Sequence, residues 1–399
     1  MRIINKTSAL LIGGSGIVSV ARGMSLTFLA VKLQEDFMLT PASVGAVLGI
    51  GPFVAAFATP FVGNLSDVLG RKRLLVTVLA LITSSLATIS VTQSVAIFVA
   101  AQAVGSVSSF VFEPLSRAAL SDASSQEHRL QLFSWRYLAI NVGWGIGPLV
   151  ALLLRPATAL LFIVSSIIYA VVTVAFTLII PSDRFSNDKR RSHTAPPMLI
   201  AFRNARRDAR LLLYAMGGLL ILAVHGQWTV TLSQYMNGSI KGGLEIFSFM
   251  VTTNAAVVLL ANRPAKVAIQ YLGEIRSLMI GVFFFALGTL GFALSDSALS
   301  FIVSMAIFSL GEVLVVPSEF VAVDRLCNIE NRGTYFGVHS MSSMGNFVGP
   351  FAAGYLLGQA GGSFMFGFLA LLVISGGLLY LIGSTPCTKL PYLWSRNEH

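Results

Sequence analysis

Runs of about twenty apolar residues alternate with short polar breaks along the whole chain. At about 1.5 Å per residue, a helix of that length covers the ~30 Å hydrocarbon core of a bilayer. The pattern divides into twelve spans: 8–32, 41–64, 74–92, 95–121, 131–154, 157–181, 209–236, 244–262, 277–296, 299–323, 333–358 and 364–386. The alternating ten-residue segments of a membrane β-barrel do not occur. The first run is too long for a cleavable signal and lacks a small-x-small exit, so it reads as the first span. The expected fold is an all-α membrane protein with twelve transmembrane helices in two pseudo-symmetric six-helix bundles.

The longest polar interruption, "PSDRFSNDKRRSHTAPPMLIAFRNARRDAR" at 181–210, places six spans on either side. Its basic residues and prolines predict a cytoplasmic linker with a short interfacial helix near 197–207. The expected organisation is therefore a bundle at 1–181, a linker at 182–208, and a second bundle with a cytoplasmic tail at 209–399. The outer loops are too short to fold alone, which leaves no separate catalytic domain.

Composition agrees with this division. The 399 residues are 55% hydrophobic and 11% charged, against about 25% charged in soluble domains, and mean hydropathy is +0.78. The net charge of +10 could suggest nucleic acid, but its distribution points to topology. Of the 27 Lys and Arg residues, Lys32, Arg155 and Lys241 fall on one side, and Arg22, Arg117 and Arg136 lie within spans; the other 21 share the opposite side. That asymmetry follows the positive-inside rule. It predicts a multi-pass protein of the cell inner membrane with both termini cytoplasmic, and it makes nucleic-acid binding unnecessary. Cys327 and Cys387 both fall on the cytoplasmic side and imply no disulfide framework.

The two halves echo each other. "GWGIGPLVALLL" (143–154) and "GNFVGPFAAGYLL" (345–357) share Gly-x-x-x-Gly-Pro in spans five and eleven. Upstream, Glu113-Pro114 in span four is answered by Pro317-Ser-Glu319 in span ten. Duplicated halves meeting at a midplane cavity are a common plan for transporters.

Between spans two and three lies "GNLSDVLGRKRLL", 63–75. Gly70 permits a tight turn, and the Arg71-Lys72-Arg73 cluster anchors a cytoplasmic face. Asp67 can accept hydrogen bonds from a facing helix N-terminus, where the dipole favours an anion. Arg117, at the cytoplasmic end of span four, is its candidate charge partner. Gly63, Leu65, Asp67, Gly70, Arg71 and Lys72 match the loop signature of the major facilitator superfamily, which the whole chain resembles. The resemblance implies a gate in which Asp67 faces span eleven and holds the transporter outward-open. Gly143, Gly147 and Pro148 match the family's antiporter motif, whose chemistry is steric: small residues let helices approach and proline bends them. Generic helix packing would explain the same residues. Within the superfamily the chain looks like the twelve-span bacterial multidrug and metabolite efflux branch, although Ala101 stands where span four of that branch carries an Arg.

Charges inside spans carry the candidate chemistry. Arg22, Glu113, Glu312 and Glu319 each cost roughly 2.5–3.5 kcal/mol at a bilayer centre, so each is a functional candidate. By resemblance, spans one, four, seven and ten line the central cavity, and span seven adds His225, Gln227, Trp228 and Gln234. Arg22 is expected to pair with Glu113 or Glu312, or to hold a substrate carboxylate; the same charges equally suit static pairs that lock helices together. No nucleophile constellation, metal-ligand cluster or phosphate loop occurs, so neither an enzyme, a cofactor nor a bound metal is expected. The function expected is secondary active efflux of small molecules, with protons as coupling partner and the bilayer as environment, by a monomer. An importer or facilitator of the same fold is the alternative.

Overall fold

The computed structural model describes residues 4–125, 128–154, 158–181, 208–326 and 332–385. Among them the chain is helical, with no strand. The first half contains α1 (Lys6–Glu35), α2 (Pro41–Leu69), α3 (Arg71–Val91), α4 (Val95–Asp122), α5 (Arg129–Leu154) and α6 (Thr158–Ile179). In the second half, α7 (Ala209–Gln227) runs through a π-helical turn (Trp228–Leu232) into α8 (Ser233–Ser239). Then come α9 (Gly243–Leu272), α10 (Glu274–Leu294) and α11 (Ala298–Asp324). Finally α12 (Arg332–His339) passes through a 3₁₀ turn (Ser340–Met344) into α13 (Gly345–Ser384).

Helix starts follow local chemistry. Asn5 and Ser8 form a capping box at α1, Ser297 and Ser300 another at α11, and Thr40 caps α2 ahead of Pro41. Asp208 accepts from the backbone N–H groups of Arg210 and Leu211 at α7. Ten stretches among the described residues are long and apolar enough to cross a membrane. One of these runs from Tyr335 to Ser384, far longer than a bilayer needs, but Gly361 breaks its helical geometry with φ 80° and ψ 175°. The gap expected at 359–363 falls on that glycine.

The duplication is legible in backbone and charge. Gly70 and Gly273 adopt φ of 86° and 80° and start α3 and α10, which both run 21 residues. The identities Leu69-Gly70 with Arg73 and Leu272-Gly273 with Arg276 carry this signal in the sequence. Arg71 then pairs with Asp122 at the end of α4, while Glu274 pairs with Arg325 just past the end of α11, at 2.6 Å. The two bridges occupy matching places with their charges exchanged.

Lipid supplies no hydrophobic drive between helices, so close packing by small residues holds them together. Buried apolar side chains form two main clusters. One draws on Leu11 to Ile180 together with Val230 and Leu244, the other on Leu211 to Tyr380. The halves meet along two seams, α2 against α13 and α5 against α9. On the first, Gly45 lies against the Pro350 carbonyl and Gly354 against the Pro41 carbonyl, each too close to admit a Cβ. Phe53 packs on Phe347 with ring centroids 5.1 Å apart. On the second, Thr252 donates to the Gly145 carbonyl at 2.9 Å. Asn237 of α8 also donates to Glu35 at the end of α1, at 3.0 Å. The Asn237–Glu35 contact and the Gly45 and Gly354 contacts lie at the end of the molecule that carries the loop at 36–40.

Candidate functional site

In the first half, α4 carries Glu113, and α5 supplies the group that holds it. Arg136 Nη1 and Nη2 reach the two carboxylate oxygens of Glu113 at 3.2 and 3.0 Å, a fork-to-fork pair. Arg136 is only 4% exposed and also donates to Ser15 of α1 at 3.1 Å and Ser116 at 2.6 Å. Arg117 reaches back one turn to Glu113 at 3.0 Å. This cluster ties α1, α4 and α5 together. Neither arginine gives up its proton near neutrality, so the arrangement is a fixed ionic joint.

Glu312 of α11 sits in a different setting. Its Oε1 lies 3.2 Å from His225 Nε2 on α7, and its Oε2 accepts from Asn254 Nδ2 on α9 at 2.8 Å. Asn254 also donates to Ser309 at 2.9 Å, which fixes the amide. The His225 ring stacks near Phe285 and meets Trp228 edge-on. Tyr137, on α5 in the first half, lies within electrostatic reach of Glu312. Two turns further along α11, Glu319 is buried and accepts from the Tyr380 hydroxyl at 2.6 Å. His339 Nε2 lies 2.7 Å from the same carboxylate oxygen.

Arg22 therefore pairs with neither Glu113 nor Glu312, and the three acids do not converge on it. Each acid is held by a nearer partner on an adjoining helix. The guanidinium instead lies 5.8 Å from the ring centroids of both Phe110 and Trp144, which is cation–π contact. It makes no hydrogen bond or ion pair among the described residues. It lines a cavity of about 50 Å³ between α1, α3, α4 and α6. The other lining side chains are Ser25, Leu26, Leu29, Ile82, Ser85, Leu86, Gln102, Ser106, Ser109 and Tyr169, with the backbone at Gly105. The Arg expected on span four at Ala101 is absent, and the guanidinium near this part of α4 comes from α1.

The span-seven residues divide. His225 joins Glu312, as described, while Trp228 is buried against Phe247 with centroids 6.3 Å apart. Gln227 is fully buried, and neither of its side-chain polar atoms has a partner among the described residues; the same holds for the buried Thr231 Oγ1 and Gln234 Oε1. The π turn between Gln227 and Ser233 lies against α1, α2 and α13, so these groups sit where the halves meet. Such turns recur at functional sites.

In the loop motif, Gly70 takes the left-handed turn and Arg71 bridges to Asp122. Lys72 is half-buried at the start of α3. The side chain of Asp67 lies outside the described residues, as do that of Leu65 and the surroundings of Gly63. Arg117 has Glu113 as its partner. In the span-five motif, Gly143 lies against the Gly16 carbonyl, Gly147 against the Val20 carbonyl, and Pro148 against Gly23. Gly345 and Gly349 approach α7 in the same way, against the carbonyls of Leu219 and Ala223. The interfacial helix near 197–207 and both cysteines lie outside the described residues.

Sequence reasoning missed Arg136, His339, Tyr380, Asn254, Gln102 and Tyr169. Arg136 had a signal, since a buried arginine needs an acid and Glu113 lies on the adjoining span. The others are ordinary polar residues whose neighbours only the packing reveals.

Comparison with known proteins places the arrangement. The family profile of the Major Facilitator Superfamily matches residues 11–337 and, in a second alignment, 229–393. The uncharacterised MFS-type transporter YqjV of Bacillus subtilis (strain 168) is 27% identical over 358 residues, covering 88% of this chain and 86% of its own. The uncharacterised MFS-type transporter YdeE of Escherichia coli (strain K12) is 26% identical over 391 residues, covering 95% and 96%. Among solved structures, the nucleoside transporter NupG superposes with a TM-score of 0.79 at 13% identity, covering 95% of this chain and 99% of that one. The chain belongs to the Major Facilitator Superfamily and is a multi-pass membrane transporter, not an enzyme.

Proposed function

We propose that the protein is a proton-coupled secondary active exporter of small molecules, working by alternating access between two six-helix bundles. Counting α2 as a span and dividing the final long stretch at Gly361 supports twelve crossings. The basic segments then lie in the cytoplasm, as do both termini. The seam that closes at the 36–40 loop is the outer one in this orientation, so the conformation is inward-facing. The gate at Asp67, with Gly63, Gly70, Arg71 and Lys72, belongs to the opposite, outward-facing state.

The observation that carries the coupling assignment is the Glu312–His225 contact at 3.2 Å, with Asn254 donating to the same carboxylate. A carboxylate and an imidazole exchange a proton near neutral pH, whereas Glu113 is held by two permanent cations. Glu312 and His225 therefore carry the proton. Glu319 with His339 is a second contact between an acid and an imidazole, one step nearer the cytoplasm. Gln227, Trp228 and Gln234 line the path between the halves.

Reconstituted vesicles with a trapped pH dye test this. Ethidium serves as a cationic probe, and benzenesulfonate as a permanently charged anionic one that carries no proton across the bilayer by itself. The expected result is proton counterflow with at least one probe, lost in Glu312→Gln while the folded protein persists. Probe flux without proton movement would instead mark a facilitator.

A further inference from the structure

The cavity between α1, α3, α4 and α6 has features that close packing alone does not need. Arg22 brings a full positive charge, and no other charged group lines the space. Its guanidinium lies 5.8 Å from the ring centroids of Phe110 and Trp144, which do not line the cavity. Gln102 is 7% exposed, lines the same cavity, and has no hydrogen-bond partner among the described residues. The Ser106 and Tyr169 hydroxyls also lack partners there, and Tyr169 lies within electrostatic reach of Arg22. Buried polar groups are nearly always satisfied; Gln102 and Tyr169 are buried, while Arg22 and Ser106 are half-buried. Here one guanidinium, one amide and two hydroxyls, from three helices, border one space with their donors unused.

We propose that this cavity is a binding site for a small organic monoanion, a carboxylate attached to a short apolar body. One unbalanced positive charge matches one negative charge, and the planar fork of arginine matches the two oxygens of a carboxylate. Gln102, Ser106 and Tyr169 supply the remaining donors. Leu26, Leu29, Ile82 and Leu86 form an apolar wall for the rest of the ligand. Ser25, Ser85 and Ser109 already donate to the backbone carbonyls of Arg22, Ala101 and Gly105, so they offer lone pairs rather than protons. That leaves donors at the Arg22 side and bars a second anionic group from the serine wall. The site lies wholly within the first half of the chain, apart from Glu312 and His225 in the second. This assignment deepens the small-molecule transport reading and rests on it for its purpose, but the binding itself can be measured without transport.

The experiment is equilibrium binding to the full-length protein in detergent, by calorimetry and thermal shift. The probes are propionate and benzoate, with propionamide and benzamide as uncharged matches. Saturable binding of at least one carboxylate is expected, with no response to its amide. Arg22→Ala should weaken it about tenfold or more, as loss of a charge-assisted contact does, with partial retention in Arg22→Lys. Gln102→Leu and Tyr169→Phe should each weaken it about three- to tenfold, and they keep the test informative where Arg22→Ala fails to fold. Equal binding of the amides would overturn the site, as would unchanged affinity in both Gln102→Leu and Tyr169→Phe. Carboxylate binding without flux of any probe in vesicles would leave the site standing and remove the transport reading. Proton-coupled flux of ethidium without carboxylate binding would do the reverse.

Discussion

Each half of the chain sets a glutamate within two residues of a helix proline, before it at Glu113-Pro114 and after it at Pro317-Ser-Glu319, and then gives it opposite company. Glu113 is gripped by Arg136 and Arg117, with Ser15 and Ser116 completing the shell around Arg136. Glu319 meets His339 and the Tyr380 hydroxyl, and Glu312, on the same helix as Glu319, meets His225 and Asn254. Arginine stays charged at every physiological pH, while histidine does not. The two halves thus hold their acids with different partners, permanent cations in the first and imidazoles in the second.

That contrast can be broken most severely at Arg136. Replacing it by Ala removes the buried partner of the half-buried Glu113 and leaves only the exposed Arg117; the loss falls below the ~3–5 kcal/mol of a fully buried pair. A large fall in melting temperature in detergent is expected, partly recovered when Glu113→Gln is added. No fall would show that the joint is not structural. Next in size, Glu312→Gln should reduce pH-gradient-driven flux at least about tenfold, equivalent to ~1.4 kcal/mol, with melting little changed. If coupling survives there and is lost in Glu319→Gln, the proton belongs to the deeper pair. Tyr380→Phe removes one neutral donor from Glu319 and should cost about 1 kcal/mol of stability; melting curves of the purified variant measure it. The smallest effect is expected at the exchanged bridges. Arg71→Ala or Arg325→Ala should each cost no more than about 1 kcal/mol, because both pairs are partly exposed. The double exchange Arg71→Glu with Asp122→Arg should restore wild-type melting, since it gives the first half the polarity the second already has.

How much of this was written in the sequence depends on whether a feature is local. The apolar helices and the break at Gly361 are local, because twenty apolar residues and a glycine announce themselves. The ends of α2 and α9 extend to Leu69 and Leu272, past the spans expected to stop at 64 and 262, because helical hydrogen bonding continues after the apolar run stops. Partner choice is not local. Arg136 lies 23 residues from Glu113, and Tyr380 lies 61 from Glu319. Which of them meet depends on the rotation of each helix and on which helices adjoin. Arg22 shows the consequence: charge alone suggested an acidic partner, and the packing gave it two aromatic rings and a polar cavity. The π turn was equally hidden, since "WTVTL" has no glycine or proline to mark it.

The seam between α2 and α13 has a mechanical meaning. Gly45 rests on the Pro350 carbonyl, and Gly354 rests on the Pro41 carbonyl, so each helix presents bare backbone to the other at the end of the contact nearest the loop at 36–40. Surfaces that interlock through side chains must unmesh before they move, and that produces discrete detents. The glycine contacts leave their end of the seam without such teeth, so it can act as a bearing, while the Phe53–Phe347 rings further along must unmesh before one half rolls against the other.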